Sequence, residues 1–182
     1  MSKNLLIVGA GIYGIVAKEI AQSMGFDEIA FVDDNAKTAP DGTPVIGTAA
    51  DIESLSLKFQ NAVVAIGNPK IRLELIENIE RHSACRIATL ISPRACVSPS
   101  AQIGKGCIIE PLTVIHTKCV VGDGCLVCAG AVVNHASILE EGVQVDCNAT
   151  VSGYMKVPKN TKVNCGDTYA SKNQTRKGED HV

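Results

Sequence analysis

The 182-residue chain contains no tryptophan and only three phenylalanines and three tyrosines. An interior built without large rings must be narrow and filled by Ile, Val and small side chains. Positive charge is not concentrated either. Seventeen Lys and Arg against 19 Asp and Glu leave a net charge of −2, and no basic run or stripe is present. That excludes the electrostatic footprint of a nucleic-acid or anionic-membrane partner. Long apolar runs are missing as well. The stretch Leu5 to Val8 is followed by glycines and Tyr13 with no convincing cleavage site, so neither a signal peptide nor a membrane span is expected. The cysteines lack paired spacing. Cys125 and Cys128 form a C-x-x-C, but no second one follows and the two fall on different sides of the local repeat, which argues against a zinc or redox centre. So many unpaired thiols point to a reducing, cytoplasmic setting.

What is present is a period of six. From residue 91 to residue 163 every sixth position is a branched aliphatic: Ile91, Val97, Ile103, Ile109, Ile115, Val121, Val127, Val133, Leu139, Val145, Val151, Val157 and Val163. Four residues after each, the side chain is usually small, as at Ala95, Cys107, Thr113, Cys119, Cys125, Ala131, Ser137 and Ala149; Val143 and Met155 are larger. A helix needs an apolar period near 3.6 and a strand a period of 2. Six fits a solenoid of short flat faces, each sending one aliphatic inward. Repeats of this form resemble the left-handed parallel β-helix, a triangular prism with three hexapeptides per coil. Residues eighteen apart then stack directly, roughly 4.8 Å apart. Such a solenoid needs its ends and flat faces covered, so association is expected, with the N-terminal half over one end.

The first half reads differently. Residues 4–9 form an apolar strand that runs into Gly9-Ala10-Gly11-Ile12-Tyr13-Gly14, and residues 15–24 continue with helical periodicity. Strand, G-x-G-x-x-G and helix in that order suit a phosphate-binding turn. A second strand at 28–32 ends in Asp33-Asp34, placed to meet a ribose or base, or simply to begin a turn. A helix at 49–57, a buried strand at 61–66 ending in Gly67-Asn68-Pro69, an amphipathic helix at 71–81 and a strand at 85–90 complete an α/β Rossmann-like pattern. The half is short for a dinucleotide fold, so one nucleotide is the expected ligand. The expected division is a nucleotide-sugar-binding domain over 1–84, the β-helix over 85–166 and a polar tail over 167–182.

Within the repeat, Asn134-His135 is the pair most suited to chemistry. His135 holds the third position of its hexapeptide, which the core does not use, and a neutral imidazole accepts a proton near pH 7. His116 lies one coil from Asn134. With Thr117 and Gly153 flanking His135 in its column, no third metal ligand is at hand within one chain and no metal is expected, a ligand supplied across a symmetric interface being the minor reading.

The GAGxxG turn, "FVDDN", "VAIGNPKIR" and "VVNHASILEEG" together resemble the bacterial sugar O-/N-acyltransferases of the sialic-acid O-acetyltransferase and UDP-4-amino-sugar N-acetyltransferase type. The resemblance covers about residues 3–163. It implies an acetyl-CoA-dependent acetyltransferase acting on the amino or hydroxyl group of a nucleotide-linked sugar, such as a UDP-amino sugar, in surface-glycan synthesis. It further implies a homotrimer with sites between neighbouring prisms. Carried over by position, His135 is the general base. Gly11, Tyr13 and Gly14 meet the nucleotide phosphates, Asp33 and Asp34 lie near the base and ribose, and Gly67 and Asn68 form the loop after the third strand. Gln144 and Asn134 fall on the acetyl-CoA side. The sequence departs from the family pattern in places. Ala136 follows the histidine where Glu or Asp is usual, Gln144 replaces a second histidine, Tyr13 stands where the turn often has His, and the usual G-x-P-A-K ending is missing. A non-catalytic nucleotide-sugar-binding trimer is the alternative these departures raise.

Overall fold

The computed structural model describes residues 3–171. Of the expected tail, residues 172–182 therefore lie outside the described residues. Four strands, β1 (Asn4–Val8), β2 (Glu28–Val32), β3 (Asn61–Val64) and β4 (Arg86–Ile87), form a parallel sheet in the order β2-β1-β3-β4. Leu5, Ile7, Phe31 and Val63 face α1 (Ile12–Ser23), packing with Ala17, Ile20 and Ala21. Leu6, Val8, Val32, Ala62 and Val64 face α3 (Pro69–His82), packing with Ile76 and Ile79, and with Ile52 of the short α2 (Ile52–Leu55). With helices on both faces the strands read as continuous apolar runs.

The second half is a left-handed parallel β-helix, so both expected folds are present. Two-residue strands stack into three parallel sheets of five, five and four strands, and partners are eighteen residues apart, as Ile109 with Val127 and Val133 with Val151. The period-six aliphatics form one continuous core with the small-slot residues, including fully buried Cys107, Cys119 and Cys125. Buried polar members of that slot donate to backbone carbonyls of the next coil. The Ser137 hydroxyl meets Ser152 O at 2.8 Å, and the Cys125 thiol meets Glu140 O at 3.2 Å. The corners are left-handed turns in three stacked columns: Gly106, Gly124, Gly142 and Asn160; Leu112, Gly130, Asn148 and Gly166; Lys118, Ala136 and Tyr154.

Both ends of the repeat differ from expectation. The single strand expected at 85–90 is two. Ala88 N–H still bonds Ala62 O of the first sheet at 2.8 Å, while Leu90 N–H bonds Cys107 O of the prism at 2.8 Å. The backbone changes partners there, so the two folds meet a few residues after the expected boundary at 84/85. At the other end Thr168–Tyr169 pairs with Thr150–Val151, inside the segment expected to be tail. Tyr169 falls six residues after Val163 and packs on the prism core. An aromatic ring fills the slot that the aliphatic pattern left open.

The N-terminal domain lies along a flank of the prism rather than over its end. Leu90, Ile108 and Leu126 point outward from one face and join the core of α1. On the adjacent corner, a Cβ on Gly106 would come within 2.8 Å of Ile76 and one on Gly124 within 2.8 Å of Leu73. Glycine there serves both the left-handed turn and the approach of α3. Arg72 closes this seam. Its side chain is fully buried. Nε donates to Gly124 O at 2.7 Å and one terminal nitrogen to Gly142 O at 3.0 Å, while the other donates to Ile66 O at 2.7 Å and Gly67 O at 2.9 Å. Burial lowers its pKa from the ordinary arginine value, yet a guanidinium stays charged. Four carbonyl dipoles offset the lost hydration.

Arg72→Ala should lower the free energy of unfolding by about 3–5 kcal/mol, because it strands the buried carbonyls of Gly124 and Gly142, frees those of Ile66 and Gly67, and opens a cavity. Arg86→Ala, at an exposed position, should cost within about 0.5 kcal/mol. Urea melts of the two variants check this; equal, small losses would refute the clamp.

Candidate active site

The carboxyl ends of β1, β2 and β3 gather three loops at the place where the strand order reverses around β1, which is where ligands settle in open α/β sheets. A Cβ on Gly9 would lie 2.9 Å from Ala65 O, and Gly9 has φ of +107°, so no other residue fits. A Cβ on Gly14 would collide with Gly9 O. Gly14 is therefore a packing residue that lets α1 close on β1. Gly11 is exposed, nothing lies within 4 Å of its Cβ direction, and it begins α1 with no side-chain cap. The first-turn N–H groups of α1, those of Ile12, Tyr13 and Gly14, thus lack a side-chain acceptor, which is an arrangement that receives a phosphate.

The two aspartates have different work. Asp33 accepts three backbone N–H groups, from Ala10 at 2.9 Å, Asn35 at 2.9 Å and Ala36 at 2.9 Å. Burial acts to raise its pKa, and the three N–H bonds outweigh it, holding the carboxyl below its ordinary value. Asp33 therefore fixes the glycine turn from the neighbouring strand. Asp34 is exposed and bonds Ala49 N–H at 2.8 Å through one oxygen. A cavity of about 80 Å³ between them is lined by Gly9, Asp33, Asp34, Asn35 and Ile66. Gly67 and Asn68 are exposed at its side. The Gly67 carbonyl is held by Arg72, and Asn68 caps α3 by accepting Lys70 N–H at 3.0 Å, so its amide oxygen is occupied. Tyr13 is not at this cavity. Its hydroxyl is buried among the α1 and prism residues without a hydrogen-bond partner. Burial first, and then the nearby Glu110 carboxylate, push its pKa well above the usual tyrosine value.

His135 occupies the prism corner that the N-terminal domain does not touch. Its ring is exposed, with Nδ1 2.7 Å from Asn134 Oδ1, and that oxygen also accepts the His135 backbone N–H at 2.8 Å. Gly153, one coil on, makes room for the ring, since a Cβ there would lie 2.8 Å from Nε2. Tyr154 meets the ring edge-on with centroids 5.0 Å apart, and His116 stands 6.4 Å away. Tyr154 is 75% exposed and left-handed at φ of 61°, a costly conformation for a bulky residue. Gln144 is not brought to His135. It lies half a coil on, between Leu126 and Lys162 on the face that carries the N-terminal domain. Glu140 and Glu141 are engaged by Lys156 and Lys159. The thiol of Cys128 is pushed up by burial and by the charge of Glu110, so it remains an apolar filler. Among the described residues no group of three or more His, Cys, Asp or Glu is gathered, and no helix is long and apolar enough to cross a membrane.

Sequence reasoning missed Arg72 and Tyr154. Both had signals. Arg72 sits at i, i+4 and i+7 with Ile76 and Ile79, a charge on the apolar face of α3. The eighteen-residue stacking sets Tyr154 over Ala136, beside His135.

Asp33 should also report itself through pH. Its carboxyl is lowered in the fold, so its contribution to stability is fully present above the ordinary value of 3.8 and is lost as pH falls through the lower folded value. Asp33→Asn should be less stable than the parent at about pH 6, and the difference should shrink below about pH 3. Urea melts at the two pH values check it; a difference that does not change with pH would contradict the assignment.

Comparison with known proteins places these features. Residues 4–79 match the PglD N-terminal domain family, and residues 100–135 match the bacterial transferase hexapeptide family of six repeats. UDP-N-acetylbacillosamine N-acetyltransferase of Bacillus subtilis (strain 168) is 34% identical over 111 residues, which are 59% of this chain and 51% of that protein. The match thus spans about half the length of this curated relative. The acetyltransferase domain of PglB from Neisseria gonorrhoeae FA1090, solved in complex with acetyl coenzyme A, superimposes with a TM-score of 0.87 at 33% identity, covering 92% of this chain and 82% of that one. A histidine-to-alanine mutant of GDP-perosamine N-acetyltransferase from Caulobacter crescentus, in complex with CoA and GDP-perosamine, shares the fold with a TM-score of 0.77 at 24% identity, covering 92% of this chain and 88% of that one. With 33% identity over 92% of its length to the PglB acetyltransferase domain, the chain belongs to the family of bacterial sugar acyltransferases with a PglD-type N-terminal domain and a hexapeptide-repeat β-helix.

Proposed function

We propose that the protein is an acetyl-CoA-dependent acetyltransferase that acylates the amino, or hydroxyl, group of a nucleotide-linked sugar such as a UDP-amino sugar. The observation that carries the reading is His135, exposed on a prism corner with Nδ1 against an acceptor and Nε2 over Gly153. The match over most of the chain to an acetyltransferase domain solved with acetyl coenzyme A supports it. The open, uncapped start of α1 and the cavity beside Asp34 would hold the nucleotide.

In the proposed reaction His135 Nε2 removes the proton from the sugar amine as its nitrogen attacks the thioester carbonyl. A C–N bond forms, the C–S bond breaks, and the CoA thiolate leaves and takes up a proton. A backbone N–H at a coil corner would stabilise the oxyanion. Asn134 supplies the acceptor that Ala136 cannot, which answers one of the departures behind the non-catalytic alternative.

One chain does not complete this site. The N-terminal domain covers one face of the prism and that face's corner with α3, while His135 is on a corner it does not touch. Exposed Val120 and Ile138 stand on the face next to His135, a strip that a second copy would bury. We therefore read the working unit as a homotrimer in which a nucleotide loop meets the histidine of its neighbour, in a cytoplasmic enzyme.

His135→Ala should lower kcat by about 10²–10⁴-fold while the protein still binds acetyl-CoA. Gly11→Glu, which sets a carboxylate at the start of α1, should abolish nucleotide-sugar binding. Co-expression of the two inactive variants tests the shared site. Mixed assemblies should recover part of the activity, because each chain brings the half the other lacks. Fully active His135→Ala would sink the general-base role, and no recovery in verified mixed assemblies would sink the shared site.

A further inference from the structure

We propose that Asn134 is a positioning residue for His135, fixing the imidazole in the Nδ1–H tautomer and thereby doing, without charge, what an acidic residue after the histidine would do. The inference rests on the acetyltransferase reading for its consequence, but not for its geometry. Two donors converge on Asn134 Oδ1: the His135 backbone N–H at 2.8 Å and His135 Nδ1 at 2.7 Å. The backbone group can only donate, so the amide must present its oxygen and not its NH₂. An oxygen accepts, so Nδ1 must carry the proton. A neutral imidazole has one N–H, which leaves the lone pair on Nε2.

Other groups around the ring cannot take this role. Ala136 has no acceptor, and its left-handed backbone, with φ of 54°, carries the chain around the corner. Glu140 is bonded to Lys156 at 2.6 Å and to the Lys159 N–H at 2.9 Å. His116 and Tyr154 touch the ring only through aromatic edges. Gly153 completes the seat, because any side chain there would displace Nε2. The ring is thus fixed from Asn134 on one edge and from Gly153 and Tyr154 on the next coil.

An amide differs from a carboxylate in one testable respect. A carboxylate on Nδ1 also stabilises the imidazolium, so it raises the pH at which the base is lost. Asn134→Asp should keep the tautomer and nearly the full kcat at alkaline pH, while the acid limb of the kcat/KM profile moves to higher pH. Asn134→Ala should lose the tautomer preference and lower kcat about 10–100-fold, with the KM for acetyl-CoA unchanged.

The experiment combines ¹⁵N NMR of the histidine ring with kinetics on the parent and both variants, as full chains checked for unchanged melting. The expected result is Nδ1–H in the parent and in Asn134→Asp, Nε2–H in Asn134→Ala, and the kinetic pattern above. Nε2–H in the parent overturns the proposal. So does an Asn134→Ala variant with unchanged kcat, whatever its tautomer, or an Asn134→Asp variant as impaired as Asn134→Ala. If the parent transfers no acetyl group, the functional reading fails, and the ring spectra alone then decide for or against Asn134.

Discussion

A guanidinium with no carboxylate partner among the described residues holds the two folds together. Arg72 leaves α3, crosses the seam and donates to carbonyls of two stacked prism corners and of the loop that follows β3. A lysine would offer a point charge where the seam needs a planar fork. The same side chain therefore ties together three things: the docking of the two folds, the stacking of the coils at Gly124 and Gly142, and the shape of the loop beside the Asp34 cavity. Glycine at those corners follows from the clamp, since any side chain would meet α3 before the guanidinium could reach the backbone.

The geometry then separates the chemistry. A flank-mounted N-terminal domain leaves one prism corner free, and that corner carries His135 with Asn134, Gly153 and Tyr154. Binding and proton transfer are assigned to opposite sides of one chain, so the reaction asks for a second copy. The exposed aliphatic strip beside His135 has the character of such a contact, and the strained Tyr154 backbone lies where a functional site would store strain.

The prism was almost fully legible in the sequence, because period six leaves no freedom: each aliphatic fixes its own inward position and that of its partner eighteen residues away. Legibility failed where the pattern changes chemistry without changing register. Tyr169 continues the ladder with a ring, and the strand at 85–90 divides between two sheets by a change of hydrogen-bond partner that no side chain marks. The site was less legible. The motif brings Gly11 to the exposed start of α1 and Asp34 to the cavity beside it. However, the same spacing could not distinguish Gly14 and Asp33, which serve the turn itself, or Tyr13, whose side chain turns into the seam. Asn134 was read as facing acetyl-CoA, whereas the structure engages it with His135. Those distinctions depend on which N–H groups a side chain meets, and that is fixed only after the two halves dock.

The central claim is that this chain moves an acetyl group onto a sugar carried by a nucleotide. The most direct measurement is ¹³C NMR of the purified protein incubated with acetyl-CoA labelled at the carbonyl carbon and a set of UDP- and GDP-linked amino sugars. The account predicts that label leaves the thioester and appears as an amide on one of the sugars at an enzymatic rate. Label that stays in acetyl-CoA, while the same sugars are seen to bind, would contradict it and leave a binding protein built on a transferase frame.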